Sequence, residues 1–265
     1  MARPLLIAAL GSSFAAGPGI EPVAHPGAMR SARNYPHLLA EELGARLVDL
    51  TVSGATTTTI LDEPQVTLAG EEFAPQVTGV PVDADLVTVT AGGNDLGFLG
   101  SMLWCAARTT DPTGPVTAML GADLADGLPE PTPDAVERTA GGLARVVEVV
   151  GARTTHARVL LVDYLTILSP TDTSSTAHLF TAEETALLLR IQDALAEAYR
   201  RAADRTGADL VAVSALSRDH ALGSPDPWVS GFDPAPERIA ASFHPARAGM
   251  QVVASEVARV VRDRP

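Results

Sequence analysis

The chain lacks most of what would place it in several large protein classes. It has one cysteine, Cys105, in 265 residues. No intramolecular disulfide can form, and a reducing compartment is compatible with that. Basic residues are scarce: 19 Lys and Arg against 32 Asp and Glu give a formal net charge of -13. Nucleic acids and anionic membrane surfaces need basic patches, so both are argued against, and polyanionic ligands more weakly. Solubility is the other reading of the acidity. The apolar run at the N-terminus, Leu5 to Leu10, is far too short to cross a bilayer. It runs into Gly-Ser-Ser rather than a small-residue cleavage site, so it reads as a strand and not a signal peptide. The expectation is a cytoplasmic protein with no membrane insertion; a secreted protein whose leader has been removed is the alternative. No His-Glu-x-x-His or paired-carboxylate spacing points to a metal, and no cofactor is expected.

What is present is a core-forming composition. The chain is 46% hydrophobic and 19% charged, which suits a folded protein and argues against wholesale disorder. No internal repeat or shift of composition marks a boundary, so residues 1–265 are read as one domain.

The organising stretch is Pro4 to Gly17, PLLIAALGSSFAAG. A continuous apolar run that stops abruptly is the pattern of a buried parallel strand. Gly11 permits a tight turn, and Ala15, Ala16 and Gly17 let a helix start close by. A hydroxyl here sits at the carboxyl end of a strand and the amino end of a helix, the edge where open α/β sheets bind ligands. Ser13 is therefore the candidate nucleophile. The alternative is that Ser12 and Ser13 only cap the helix.

Strand signals recur at Arg46 to Leu50, Asp85 to Thr90, Arg158 to Asp163 and Asp209 to Ser214, the third of the five being rich in β-branched residues. Helix signals alternate with them. Asn34 and Gly44 bracket one helix, Thr132 caps another that ends at Gly151, and Thr181 with Glu184 forms a capping box for a third ended by Gly207. A last helix covers about Arg247 to Arg262. A short helix and linker are expected within Val66 to Pro81, and a polar loop over Tyr164 to Ala177. Leu96 to Pro131 shows no clear periodicity; it reads as an insertion shaping a pocket or as a partly ordered surface loop. The alternation predicts a three-layer α/β/α sandwich around a five-stranded parallel sheet.

Three strands end at Ser13, Gly54 and Asn94, and His244 precedes the last helix. In a doubly wound sheet these positions share one edge. Acyl transfer needs such a set. A serine hydroxyl needs a base to take its proton, and imidazole suits that task. The oxyanion that forms needs fixed donors. The N–H groups of Ser13 and Gly54 and the side-chain amide of Asn94 are candidates.

These residues carry a resemblance. Gly11-Ser12-Ser13-Phe14-Ala15-Ala16-Gly17, Ser53-Gly54-Ala55-Thr56, Gly92-Gly93-Asn94-Asp95 and His244-Pro245 resemble, in order, the sequence blocks of the SGNH hydrolases, also called the GDSL esterase/lipase family. The resemblance implies a flavodoxin-like sheet with strand order 2-1-3-4-5. It implies Ser13 as nucleophile, His244 as base, and Ser13, Gly54 and Asn94 as the oxyanion hole. Two positions depart from the family pattern. Ser12 stands where Asp is frequent, and Ala241 stands three residues before the histidine, where the orienting Asp is usual. A Ser-His dyad is therefore expected, with the backbone carbonyl of Ala241 or a neighbour accepting the Nδ1–H. Asp233 or Glu237 is the competing acceptor.

The expected activity is that of a serine esterase hydrolysing small-molecule carboxylic esters through an acyl-enzyme. Acyltransferase, thioesterase and carbohydrate deacetylase use the same machinery, and a non-catalytic flavodoxin-like binding domain is the alternative outside enzymes. Trp104, Trp228 and Phe243 are candidates to line the acyl pocket, with buried packing as the alternative for each. Cys105 reads as a packing residue. Asp95 is expected to hydrogen-bond within its own turn rather than act as an acid.

Overall fold

Strand β1 (Leu6–Gly11) is the axis of the molecule, and all six of its residues are buried. In the computed structural model, which describes residues 3–122, 124, 127–170 and 178–263, it pairs in parallel with β2 (Arg46–Asp49) on one side and β3 (Leu86–Thr90) on the other. β4 (Arg158–Val162) and β5 (Asp209–Val211) complete a parallel sheet of order β2-β1-β3-β4-β5. A central parallel strand is covered on both faces, which is why β1 is apolar without alternation and all five residues of β3, its two threonines included, are buried. Full burial of a side chain such as Ile7 or Leu10 contributes about 1.5–3 kcal/mol.

The helices are α1 (Ser13–Ala16), α2 (Tyr35–Leu43), α3 (Thr57–Leu61), α4 (Phe98–Thr110), α5 (Pro115–Ala122), α6 (Pro133–Arg153), α7 (Ala182–Thr206), α8 (Val213–Leu216) and α9 (Arg247–Asp263). α2 packs on α9 and α6 on α7, and α3 and α4 join the second pair, so helices flank the sheet in a three-layer α/β sandwich. Local chemistry fixes their ends as expected. Asn34 accepts from the His37 N–H, and Thr181 and Glu184 make both bonds of a capping box. Two short antiparallel ribbons, Val23–His25 with Arg30–Ser31 and Gln65–Val66 with Glu72–Phe73, lie outside the main sheet.

Several local expectations change. Leu96 to Pro131 contains two helices, α4 and α5. Their periodicity is hidden because α4 is apolar nearly all round: one side enters the core and another borders a cavity. Gly151 does not end α6, which continues to Arg153, whose guanidinium donates to the carbonyls of Val80 and Thr78. Val66 to Pro81 holds a ribbon strand and a 3-10 turn at Gln76–Gly79 rather than an α-helix. Tyr164, Leu165, Ile167 and Leu168 are buried, so the start of the expected polar loop is core; residues 171–177 lie outside the described residues. Strand β5 stops at Val211. The Asp163 carboxylate accepts from the N–H and hydroxyl of Ser214 and holds the chain in the α8 turn instead.

Candidate active site

The turn after β1 has no room for a side chain. Gly11 has φ +155°, and a Cβ there would stand 2.5 Å from the Thr90 carbonyl oxygen. Gln76 secures this strand end from the side: its amide accepts from the Gly11 N–H and donates to the Gly11 carbonyl. The chain then enters α1, with Ser12 as its first flank and Ser13 as its first residue. Neither serine makes a side-chain capping bond there. Ser12 Oγ instead lies 2.8 Å from Tyr164 Oη, which also accepts from the Gly93 N–H.

Ser13 Oγ is 2.7 Å from His244 Nε2, and His244 Nδ1 is 2.9 Å from the Ser242 carbonyl oxygen. A carbonyl has no proton to give, so Nδ1 must carry the hydrogen in this bond and Nε2 presents its lone pair to the serine hydroxyl. The orienting acceptor is thus Ser242, not Ala241, whose carbonyl is taken by the backbone N–H of His244. Asp233 does not reach the ring. Its carboxylate binds Arg238 and accepts from the Ala235 N–H. Glu237 also pairs with Arg238. Burial pushes the His244 imidazole down to about 4, against the Ser242 carbonyl, which pulls it up.

Phe243 is the hinge of this arrangement. It has φ +60°, rare and strained for an aromatic residue. Its ring is fully buried against Phe180 and Phe232, and its backbone N–H donates to the Ser230 carbonyl, while Ser230 N–H donates to the His244 carbonyl. This left-handed step turns the Ser242 carbonyl back toward the ring two residues on.

Gly54 and Asn94 border the same cavity as Ser13 and His244. Gly54 has φ +85°, a conformation that disfavours any side chain. Among the described residues, no protein acceptor faces the N–H groups of Ser13 or Gly54. One N–H of the Asn94 carboxamide donates to the Ala55 carbonyl, which fixes the group and leaves its other hydrogen available. Asp95 accepts from the backbone and hydroxyl of Thr57, so it ties this turn to α3 rather than bonding only within its own turn. Burial raises its pKa.

The cavity has a volume of about 260 Å³. Away from Ser13 and His244 its walls are apolar, made by α4, α5, Leu68 and Ile239. The three aromatic candidates lie elsewhere. Trp104 carries the Arg108 guanidinium 4.4 Å above its ring, Trp228 stacks on His220, and Phe243 serves the histidine turn. Cys105 is buried, and its thiol is pushed up to about 12 by that burial. A wider polar cleft of about 620 Å³, bordered by α3 and α6, reaches Asn94 but neither Ser13 nor His244.

Sequence reasoning missed the tyrosines. The chain has three, all buried, and all three hydroxyls converge on this edge of the sheet. Tyr35 Oη meets Thr90 Oγ1, Tyr164 meets Ser12 and Gly93, and Tyr199 accepts from the N–H and donates to the carbonyl of Ala91. Desolvation raises the pKa of each, so all three stay neutral.

The chain matches the GDSL-like Lipase/Acylhydrolase family over residues 9–252. It is 36% identical to Lipase 2 of Streptomyces coelicolor over 80% of this chain and 70% of that protein. Among solved structures, phospholipase A1 from Streptomyces albidoflavus NA297 covers 98% of this chain and 99% of its own, with TM-score 0.70 at 22% identity. The extracellular lipase from Streptomyces rimosus covers 97% and 99%, with TM-score 0.66 at 22% identity. The chain therefore belongs to the GDSL-like lipase/acylhydrolase family, and it is a hydrolase of ester bonds.

Proposed function

We propose that this hydrolase works through a Ser13–His244 dyad and an acyl-enzyme intermediate. Ser13 Oγ attacks the ester carbonyl carbon as its proton passes to His244 Nε2. The carbonyl π bond opens, and the oxygen takes the negative charge. The N–H groups of Ser13 and Gly54 and the Asn94 carboxamide receive it. The intermediate collapses, the bond to the alcohol oxygen breaks, and His244 returns the proton to that oxygen. Water then attacks the acyl-enzyme by the same route and releases the acid and Ser13. The Ser242 carbonyl keeps Nδ1 protonated and supports the imidazolium that forms transiently, the part a carboxylate plays in a triad.

The observation that carries this reading is the continuous line from Ser242 oxygen through the ring to Ser13 Oγ, with bonds of 2.9 and 2.7 Å. An imidazole held at about 4 is neutral at pH 7, as a base must be. The apolar cavity and relatives named as lipases favour fatty-acyl esters over acetylated carbohydrates.

The test is hydrolysis of p-nitrophenyl esters by wild type, Ser13→Ala and His244→Ala. Each substitution is expected to lower kcat by about 10³-fold or more, because the two groups act as one unit. A fluorophosphonate is expected to label Ser13 and no other serine, read by peptide mass spectrometry. Undiminished turnover by Ser13→Ala overturns the mechanism.

A further inference from the structure

α4 and α5 face one another across the apolar cavity, and each does so with a helical stripe. α4 presents Leu99, Gly100 and Leu103; α5 presents Val116, Met119 and Leu120. Apolar residues three and four apart on facing helices normally interlock. Here the two helices touch where the Trp104 indole of α4 lies against Gly121 of α5, while the six residues named border open space. Only Thr117 of α5 is buried, and Met119 is 50% exposed. At the middle of the α4 stripe stands a glycine. A Cβ built on Gly100 meets no atom within 4 Å, and its backbone is ordinary helix. Two other helical glycines have steric reasons, whereas Gly141 and Gly151 of α6 share the open surroundings of Gly100. A Cβ on Gly142 would strike Thr57, and one on Gly249 would strike the Trp228 carbonyl. Gly100 has no such neighbour, and alanine is the better helix former. Of the three glycines without such a neighbour, Gly100 is the one that borders the cavity beside Ser13 and His244, so a side chain there would enter that open space.

We infer that the acyl chain of the substrate lies between α4 and α5 across Gly100, and that Gly100 sets how long that chain can be. This rests on the esterase reading of Ser13 and His244. The substrate class is esters of unbranched fatty acids longer than acetate. The apolar cavity takes the acid side of the ester, and the alcohol points outward. A side chain at position 100 would occupy the channel and shorten it.

Two ester series separate the acid side from the alcohol side. In the first, p-nitrophenyl acetate is compared with p-nitrophenyl octanoate; in the second, ethyl acetate with octyl acetate. Gly100→Leu is expected to lower the octanoate-to-acetate ratio of kcat/KM by about tenfold or more, the scale of a displaced methylene or two. Gly100→Ala is expected to move the ratio in the same direction by less. The octyl-to-ethyl ratio is expected to stay where it is. Thermal unfolding is measured alongside, and neither variant is expected to melt below wild type; should the leucine variant do so, the alanine variant decides. An unmoved acyl ratio in active protein, or a fall in the alcohol ratio instead, overturns the assignment while leaving the dyad standing. A wild type that turns over no ester and takes no fluorophosphonate label removes the dyad reading, and this assignment with it.

Discussion

Around Ser13 and His244, fixed polar partners dominate. The Ser12 hydroxyl, both rims of Ala91, the Gly93 N–H and both nitrogens of His244 are each bonded to a named group. The opposite wall of the same cavity, α4 and α5, is apolar and faces open space, with a glycine at its middle. The first region fixes atoms to hydrogen-bond geometry; the second fixes only a volume. Preorganised donors lose much when moved slightly, whereas an apolar wall changes what fits and leaves the reacting atoms in place. Substitutions in the first region should therefore act on kcat, and those in the second on the choice of substrate.

The largest expected separation comes from Asn94→Ala. Loss of this proposed oxyanion donor should lower kcat by about 10²- to 10³-fold with little change in KM. An effect confined to KM in steady-state assays would place Asn94 with the wall. Next is the acid limb of kcat/KM. In the proposed mechanism His244 must be neutral to accept the proton, and burial holds its pKa at about 4 rather than 6.5. Activity should persist as pH falls through 6.5 and be lost only as it approaches 4. The stability sign is the same: the unfolded chain takes this proton first, so the contribution is complete above 6.5 and declines toward 4. A limb centred at 6.5 in a pH-rate profile would show that water reaches the ring.

Tyr164→Phe should lower kcat about tenfold and destabilise the fold by about 1–3 kcal/mol, because it strands the Ser12 hydroxyl and the Gly93 N–H in the interior. Denaturant midpoints and kinetics with two acyl lengths check this; both substrates should suffer equally. Met119→Ser on the wall should do the reverse, moving the octanoate-to-acetate ratio several-fold, the scale of lost apolar contact. The smallest effect belongs to Asp233→Asn. That carboxylate holds an exposed pair with Arg238 that solvent screens, and kcat should stay within about twofold. A loss approaching that of His244→Ala would restore Asp233 as the orienting group.

The buried strand and its turn were legible because continuous apolar sequence ending in Gly-Ser-Ser has few structural solutions. The sheet order and the meeting of Ser13 with His244, Gly54 and Asn94 followed from the four blocks. Ser242 was not legible, since every residue carries a carbonyl and only the path of the chain aims one. Trp104, Trp228 and Phe243 misled because aromatic character says that a side chain will be covered, not by what. α4 escaped because a helix that is apolar on both its core and its cavity sides has no polar stripe to mark its period. The tyrosines sit in three unrelated elements, and only the fold brings their hydroxyls to one edge.

The acceptor behind His244 belongs to the main chain, and that changes how it can be lost. An orienting aspartate disappears with a single codon change. At position 242 every side chain brings the same oxygen, so no ordinary replacement there deletes it. The vulnerable place is one residue on, where Phe243 holds φ at +60°. Proline at 243 would force that angle negative and swing the carbonyl away. The orientation of this histidine is inherited as a route of the backbone, with the aromatic packing of Phe243 as its guarantor.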